Sequence, residues 1–468
     1  VQRGWSFMKI LKGIPYLVIT CSLLVLNMGQ HACASEKDIP NIVFILVDDM
    51  GYGDLGCMGC QDIATPNIDR LANEGVRFTD FYANAPVCSP TRCAFITGQW
   101  QQRVGFEWAL GYSAERRRLI DGTWRDITTM HHGIGLPSER PGIAKMMKAA
   151  GYTTGCFGKW HLGYDDEFSP LNHGFDEYFG ELLGHADYYR HSYFDGTYAL
   201  RDGFEYPFMK GYLTDLINER AESFIEKNHD SPFFLYVPHL ALHAPFQPPG
   251  RPLPHVTREN MHDGSRDIYR QMLERVDHGV GMILDRLEEH GLVENTLVVL
   301  SSDNGGERWS NNLPLFHHKR TLWEGGIRVP CVMRWPDRIK PGAESSQPAI
   351  TMDLTATFLA AAQAIPPNDY QLDGIDLMPV LSQQASQTDR TFYWRVNRSN
   401  YRMRAIRHGD WKYIDDAGTM DLLFDLKNDI SERKNLCYQN PEKVKELKTL
   451  LAAWEAEMDA EPKTFTVH

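Results

Sequence analysis

The chain has 468 residues, of which 43% are hydrophobic and 23% are charged, so it is long enough for two domains and has the composition of a globular protein. Its formal net charge of −13 argues against a nucleic-acid-binding protein, because phosphate backbones are held by an excess of lysine and arginine. An anionic ligand would need a local cluster of cationic side chains to overcome this overall charge.

The N-terminus has the pattern of an export signal. Residues 8–12 are basic, residues 14–26 form an apolar run, and residues 32–34 read Ala-Cys-Ala, a small-x-small cleavage site. The apolar run is shorter than the roughly 20 residues that span a bilayer. We therefore expect residues 1–34 to be a cleaved signal peptide, with a retained N-terminal anchor as the alternative. The mature protein would be periplasmic or secreted, without a stable membrane span.

The first core element is an apolar, β-branched run at residues 41–47, which predicts a strand buried on both faces of a parallel sheet. Asp48 and Asp49 follow this strand directly. Two adjacent carboxylates at this position must be neutralised, and the carboxyl edge is where open α/β sheets bind ligands. A hard cation would neutralise them, and a solvated turn is the alternative interpretation.

Residues 88–92 read Cys-Ser-Pro-Thr-Arg, and the proline suits the first turn of a helix. Removal of residues 1–34 reduces the nine cysteines to seven, so one stays unpaired even under full oxidation. We expect Cys88 to be that one. Cys57 and Cys60 form a single Cys-x-x-Cys pair in a glycine-rich loop, for which a disulfide and two free thiols are both open.

Helical and strand patterns alternate from residue 65 to residue 300, which indicates a doubly wound α/β domain. The predicted helices cover residues 65–75, 141–150, 214–229 and 265–291, and two predicted strands cover residues 231–237 and 296–300. Residues 151–163 predict a further strand that breaks into a glycine-flanked loop. Residues 104–140 are irregular, charged and aromatic, and we interpret them as an insertion near the site.

Polar side chains again follow the later strands of this domain, and they are Lys159, His161, His239, His243, Asp303 and Asn304. Glycines on both sides of Lys159 and His161 let the backbone approach a ligand, and the two side chains alternate onto one side. The acid and amide of Asp303 and Asn304, at the end of one of these strands, repeat the pattern of the first strand.

The last third of the chain changes character. Three short runs between residues 391 and 414 predict antiparallel strands, and residues 441–458 predict an amphipathic helix. We place a domain boundary near residue 385, which gives a large α/β domain over residues 35–385 and a smaller α+β domain over residues 386–468.

Several of these segments, in order, resemble the signatures of the formylglycine-dependent sulfatases, the arylsulfatase and carbohydrate sulfatase type of the alkaline phosphatase superfamily. The matching segments are Cys-Ser-Pro-Thr-Arg at 88–92, Gly-Tyr-x-Thr and Gly-Lys-Trp-His within 151–161, Ser-Asp-Asn-Gly at 302–305, and Lys-x4-Glu-Gly-Gly-x-Arg-Val-Pro at 319–330. The resemblance runs from about residue 41 to the end. It implies an alkaline phosphatase-like fold, with a large mixed sheet between layers of helices.

The resemblance implies that a maturation enzyme oxidises Cys88 to formylglycine, whose hydrate supplies the nucleophile. Arg92 would hold this hydrate, Lys159 would contact the sulfate, and His161 would take a proton from the hydrate. The substrate class that the resemblance implies is a sulfated carbohydrate or an aryl sulfate.

The resemblance also implies one calcium ion, with magnesium as second choice, and all-oxygen ligands fit this metal. Its ligands by matching position are Asp48, Asp49, Asp303, Asn304 and the oxygen of the modified residue 88.

His243 matches the position of the histidine that, with Lys319, would stabilise or protonate the leaving group. His239 is the competing histidine four residues earlier. His185 and His318 are candidate substrate contacts, and for His318 an exposed loop is the alternative interpretation.

This chain departs from the family pattern at three positions: Phe95 and Gln99 replace the usual Leu and Arg after Cys88, and Arg320 replaces the common Gly after Lys319. Two other functions are open, phosphoester hydrolysis in the same superfamily and binding of sulfated glycans without turnover. We expect the segments at 104–140, 185–210 and 246–264 to select the substrate.

Overall fold

The computed structural model describes residues 39–111, 117–120, 123–126, 133–252, 256–257, 259–398, 401–461 and 463. The predicted signal peptide at residues 1–34 lies outside these residues. Across the described ranges, every helix is too short or too polar to cross a bilayer.

The described residues contain seventeen strands, numbered here in chain order. They are β1 (Asn41–Val47), β2 (Val76–Phe78), β3 (Phe81–Tyr82), β4 (Arg117–Ile120), β5 (Thr123–Asp126), β6 (Thr153–Lys159), β7 (Glu177–Glu181), β8 (Leu200–Asp202), β9 (Phe233–Pro238), β10 (Thr296–Ser302), β11 (Cys331–Arg334), β12 (Ala343–Ser345), β13 (Ala349–Ile350), β14 (Thr391–Arg398), β15 (Tyr401–His408), β16 (Trp411–Asp416) and β17 (Met420–Asp425).

The same residues form nine α-helices. They are α1 (Pro66–Asn73), α2 (Cys88–Thr97), α3 (Ile143–Ala149), α4 (Leu213–Asn228), α5 (Arg266–Glu289), α6 (Glu324–Ile327), α7 (Thr351–Ala361), α8 (Met378–Leu381) and α9 (Pro441–Ala460). The helices and core strands predicted between residues 41 and 300 all occur, with ends that differ by a few residues.

Nine strands form one mixed sheet in the order β12-β2-β11-β10-β1-β9-β6-β7-β8. The five central strands, from β10 to β7, are parallel, and β8 and β11 run antiparallel to their inner neighbours. Parallel strands are buried on both faces, which explains the continuous apolar run of β1. The predicted α/β fold with a large mixed sheet is confirmed.

Alternate side chains of β1 point to opposite faces of the sheet and enter two separate cores. Phe44 and Leu46 pack in a core that includes residues of α2, α3 and α7, whereas Val43 and Ile45 pack with residues of α1, α4 and α5. Each fully buried side chain of this size contributes about 1.5–3 kcal/mol. Helices therefore cover both faces of the sheet, as the doubly wound interpretation requires.

The C-terminal strands form a separate antiparallel sheet in the order β14-β15-β16-β17, which confirms the predicted C-terminal sheet. The first core described above also contains Trp394 of β14, whose indole N–H donates to the carbonyl oxygen of Ala83 at 2.9 Å. Trp454 of α9 stacks on Tyr393 with ring centroids 5.2 Å apart. The domain boundary near residue 385 stays a prediction.

A buried ion-pair group links this C-terminal sheet to α6. The ammonium of Lys412 lies 2.7 Å from Glu324 Oε1 and 2.8 Å from Glu432 Oε1, and all three side chains are buried. Glu324 also accepts a hydrogen bond from the hydroxyl of Tyr82 at 2.7 Å. Because α6 follows the segment that carries Lys319, this group also anchors part of the candidate site.

We expect Lys412→Met to lower the free energy of unfolding by about 3–5 kcal/mol, because it leaves two buried carboxylates without their shared cation. Urea denaturation followed by circular dichroism measures this change. The exposed Lys434 provides the control, since Lys434→Met removes the same charge from the surface. Equal stability of the two variants would contradict the structural role given to Lys412.

Candidate active site

The carboxyl ends of β1 and β10 bring four polar residues to one edge of the sheet. Val47 pairs with Ser302 in parallel register, so the residues that follow the two strands are neighbours. Asp49 has a left-handed backbone with φ 61°, and its N–H donates to Asp303 Oδ1 at 3.3 Å. This turn places the carboxylates of Asp48, Asp49 and Asp303 together in the protein interior.

Arg92 lies one turn into α2 and is completely buried beside these acids. Its Nη2 donates to Asp48 Oδ2 and Asp303 Oδ2, both at 2.8 Å, and its Nη1 donates to the carbonyl oxygen of Lys159 at 2.8 Å. Burial works to lower the pKa of Arg92, but the carboxylates of Asp303 and Asp48 keep it above its ordinary value. Arg92 is thus a fixed cation that joins α2 to three strand ends.

Lys159 is the last residue of β6. Its ammonium contacts Asp48 Oδ2 and donates to the carbonyl oxygen of Gly184 at 2.9 Å. Gly158 allows this approach, because a Cβ there would lie 2.0 Å from the carbonyl oxygen of Pro238 in β9. The side chain of Lys159 is completely buried.

His161 is buried two residues later and holds one defined tautomer. Its Nε2 faces the carbonyl oxygen of Leu110, which can only accept, so Nε2 carries the proton. Its Nδ1 has no hydrogen-bond partner in the described part of the chain. Burial, together with the positive charge of Lys159, lowers the pKa of His161 well below its ordinary value. The neutral ring therefore offers Nδ1 as a proton acceptor.

A second set of contacts surrounds Asp49. The ammonium of Lys319 lies 2.6 Å from Asp49 Oδ1, and the amide of Asn304 donates to the same oxygen at 2.7 Å. His243 Nε2 lies 3.9 Å from Asp49 Oδ2. Because His243 Nδ1 donates to the carbonyl oxygen of Ala244 at 2.7 Å, its Nε2 carries the lone pair.

The acids and the amide have the chemistry of a hard-metal site. Asp48 Oδ1 and Asn304 Oδ1 are buried, and neither has a hydrogen-bond partner among the described residues. Such orphaned acceptors are costly unless a ligand satisfies them. Ligand atoms of Asp48, Cys88 and Asp303 lie within 4.8 Å of one another. These carboxylate and amide oxygens suit calcium or magnesium, and an oxygen at position 88 would suit such an ion better than the sulfur of cysteine.

Four of the six predicted catalytic residues line one cavity of about 200 Å³, and the other two, Arg92 and Lys159, are buried behind it. Among the residues that line it are Cys88, His161, His185, His243, Lys319 and Arg320. The described lining includes no aspartate or glutamate. A chain with a net charge of −13 therefore presents a cavity wall rich in basic side chains, which suits an anionic ligand.

The other histidines of the sequence analysis lie in different places. His185 lines the cavity and stacks on Phe194 with ring centroids 3.9 Å apart. His318 is exposed and does not line it, and its Nδ1 bonds to the carbonyl oxygen of Lys319 at 2.9 Å. His239 is buried away from the cavity, where burial lowers its pKa to about 4. Of the two histidines that follow β9, His243 is the one at the cavity.

Sequence reasoning missed three residues near the cavity. Trp108 and Leu110 belong to the cavity wall, and they come from the segment that was recognised only as an irregular insertion. Its aromatic content was the available signal. Glu181 is paired in register with Lys159 and fully buried, and burial raises its pKa to about 8. Nothing in its local sequence distinguished it from an ordinary strand end.

Cys88 is 3% exposed and begins α2, and its sulfur lies within 4.8 Å of carboxylate oxygens of Asp48 and Asp303. Burial raises the pKa of this thiol, although Lys159 and Lys319 oppose the effect. A buried cysteine whose pKa is raised is a poor nucleophile as a thiol. All seven cysteines within the described ranges are free, including Cys57 and Cys60.

Comparisons with known families match nearly the whole described chain. Residues 40–364 match a family described as Sulfatase, and residues 314–458 match one described as N-sulphoglucosamine sulphohydrolase, C-terminal. The first match contains every residue of the site described above, from Asp48 to Lys319.

Individual relatives agree with these family matches. N-acetylgalactosamine-6-sulfatase of Mus musculus is 36% identical over 409 residues, covering 83% of this chain and 74% of the relative. Steryl-sulfatase of Mus musculus is 31% identical over 477 residues, covering 84% of this chain and 73% of the relative. The crystal structure of Ps i-CgsB superposes with a TM-score of 0.80 and 31% identity, covering 92% of this chain and 95% of that one. The same protein has also been solved in complex with k-i-k-neocarrahexaose.

Proposed function

Because this chain belongs to the sulfatase family and is an enzyme that hydrolyses sulfate esters, we propose that its substrate is a sulfated carbohydrate. We propose further that it acts through a formylglycine made from Cys88 by a maturation enzyme, beside a bound calcium ion. The observation that carries this proposal is the position of Cys88, which lines the cavity together with basic side chains and also lies beside the buried carboxylates of Asp48 and Asp303.

The hydrate of formylglycine would supply two hydroxyl groups on one carbon, one to attack sulfur and one to expel sulfate afterwards. Arg92 and Lys159 are the fixed cations beside residue 88, and they would orient it and attract the sulfate ester. His161 lines the same cavity, and its Nδ1 is the acceptor that would take a proton from residue 88.

Asp48, Asp49, Asp303 and Asn304 would hold the calcium ion through carboxylate and amide oxygens. The buried acceptors Asp48 Oδ1 and Asn304 Oδ1 support this assignment, because the ion would satisfy both. When bound, the ion would supply positive charge that offsets the negative charge on the sulfuryl group.

Lys319 and His243, which both lie beside the carboxylate of Asp49, would act on the leaving group. The ammonium of Lys319 would stabilise negative charge on the leaving oxygen, and His243 would protonate that oxygen after its Nε2 lone pair has taken up a proton from solvent. Both residues line the cavity, as this role requires.

Two relatives favour a carbohydrate substrate over an aryl sulfate. One is named for a sulfated N-acetylgalactosamine, and Ps i-CgsB has been solved with an oligosaccharide. The cavity of about 200 Å³ is smaller than the roughly 300–1,000 Å³ of a drug-sized pocket, so it would enclose one sulfated sugar unit. His185 is the candidate sugar contact within it, and the exposed His318 would act outside it.

We also propose that the enzyme is exported from the cytoplasm. The basic, apolar and small-residue pattern of residues 1–34 supports a cleaved signal, and a periplasmic or secreted enzyme would meet extracellular sulfated glycans.

The experiment that tests this proposal is sulfate release by the full chain produced together with a maturation enzyme. The substrates are sulfated mono- and oligosaccharides and 4-nitrophenyl sulfate, with 4-nitrophenyl phosphate as the comparison. We expect turnover of at least one sulfated sugar, with sulfate esters preferred over the phosphate ester. Turnover of the phosphate ester alone would establish the phosphoesterase alternative and contradict the proposal.

We expect wild-type protein to bind one calcium ion and Asp303→Ala to lose this binding, because the variant removes a carboxylate from the centre of the site. Isothermal titration calorimetry measures the binding directly. The exposed Asp389 gives a matched control, since Asp389→Ala removes the same group elsewhere. Unchanged calcium binding by Asp303→Ala would remove Asp303 from the ligand set.

A further inference from the structure

Arg320 is a cation of the cavity wall to which the reaction described above gives no role. Lys319, its neighbour, is 4% exposed and paired with Asp49, whereas the side chain of Arg320 is 50% exposed. Both residues line the cavity. Arg320 therefore combines a place at the site with access to solvent.

The backbone of Arg320 is held at a fixed place beside residue 88. Its N–H donates to the carbonyl oxygen of Pro86 at 2.8 Å, two residues before Cys88. Its guanidinium lies 3.0 Å from Glu307 Oε1, which orients the side chain. The position of this charge is thus set by contacts at both ends of the residue.

Arg320 also has a left-handed backbone, with φ 76°. Such a conformation is strained for an arginine and unstrained for a glycine. Strained residues cluster at binding and catalytic sites, where the side chain has a use. An arginine at this position, in a cavity wall without acids, indicates recognition of negative charge.

We propose that Arg320 is a specificity residue that binds a second anionic group of the substrate. The preferred substrate is then a sulfated glycan that carries another sulfate or a carboxylate next to the scissile sulfate. This inference rests on the proposed function. The enclosed part of the cavity takes the sulfated unit, and the guanidinium of Arg320 contacts the neighbouring anionic group through charge-assisted hydrogen bonds.

The test compares kcat/KM for four probes, each with the matured enzyme. The probes are 4-nitrophenyl sulfate, N-acetylgalactosamine 6-sulfate, the same sugar with a second sulfate at position 4, and a disaccharide that joins the 6-sulfate to a uronic acid. We expect the wild type to prefer one of the two probes with a second anionic group. The last two probes distinguish a sulfate from a carboxylate as that group.

Arg320→Asn removes the charge and keeps a residue that tolerates a left-handed backbone. We expect it to lower kcat/KM for the preferred doubly anionic probe about tenfold or more relative to 4-nitrophenyl sulfate, mainly through KM. Arg320→Gly, which relaxes the backbone, should give the same change in this ratio. Arg308→Asn removes an exposed charge nearby that does not line the cavity, and it should leave the ratio unchanged.

An unchanged ratio in both Arg320 variants, or an equal change in Arg308→Asn, would overturn the assignment of Arg320. A wild-type enzyme that prefers the singly anionic probes would also overturn it, while the proposed function would stand. If the wild type releases sulfate from none of the four probes but from another sulfated sugar, the assignment of Arg320 is overturned and the proposed function stands. If it releases sulfate from none of the four probes and from no other sulfated sugar, the proposed function fails, and this inference fails with it.

Discussion

Cys88→Ala is expected to abolish sulfate release, with a loss in kcat of at least about 10⁴-fold, because the proposed mechanism makes its nucleophile from this residue. We expect the variant to stay folded, so that this loss in kcat does not come from unfolding. Cys88 is one small residue at the start of α2, and alanine keeps the helix. The measurement is sulfate release at saturating substrate, together with a urea denaturation curve.

Cys93 provides the matched control. It lies in the same helix and is fully buried, but it packs in the apolar core away from the charged group. Cys93→Ala should keep the activity of the wild type and lose at most a small part of its stability. Activity retained by Cys88→Ala, or lost equally in the two variants, would contradict the role of Cys88.

Arg92→Met is expected to lower the free energy of unfolding by about 3–5 kcal/mol and also to abolish activity. Methionine fills a similar volume but leaves Asp48 and Asp303 without the buried guanidinium that bridges them at 2.8 Å. Urea denaturation in the absence of added calcium measures the change, because added cation would partly replace the missing charge.

Arg92→Lys tests whether the positive charge at this position is sufficient or whether the geometry of the guanidinium is also needed. Lysine keeps one positive charge but cannot donate to two carboxylates and to the carbonyl of Lys159 in the planar geometry of a guanidinium. We expect intermediate stability and strongly reduced activity. If Arg92→Met unfolded at the same urea concentration as the wild type, Arg92 would not be the cation that balances the acids.

The centre of the site could be predicted because its residues follow buried parallel strands. Once residues 41–47 and 296–300 are interpreted as parallel strands, the residues that follow them must meet at one edge, and the structure places Asp49 and Asp303 there. The helix that begins at Cys88 could be predicted from its proline. Its position beside the strand ends depends on packing between distant segments, and the family resemblance supplied that expectation.

The wall of the cavity could not be derived in this way. His239 and His243 follow the same strand, and only the path of the loop after β9 places one ring in the core and the other at the cavity. Trp108 and Leu110 reach the cavity from an insertion without a periodic pattern. Arg320 was visible as a departure from the family pattern, but its left-handed backbone and its exposure required coordinates.

The C-terminal sheet shows another limit of sequence patterns. Strand β17 was not predicted, although its neighbours β14 to β16 were. Its first residue, Met420, is exposed, and of its six residues only Leu422, Leu423 and Phe424 are buried in the core. No local pattern indicates that this sheet shares a core with α2, because such packing joins residues about 300 positions apart.

The measurement that tests the central claim most directly is peptide mass spectrometry of residue 88 in protein produced with a maturation enzyme, joined to sulfate release by the same preparation. We predict an aldehyde at position 88 and turnover that rises in proportion to the aldehyde fraction. An unmodified thiol at position 88 in a preparation that hydrolyses sulfate esters at full rate would contradict the formylglycine mechanism. An unmodified thiol with no turnover of any sulfate ester, under conditions that mature another sulfatase, would contradict the assignment of Cys88 as a substrate of the maturation enzyme.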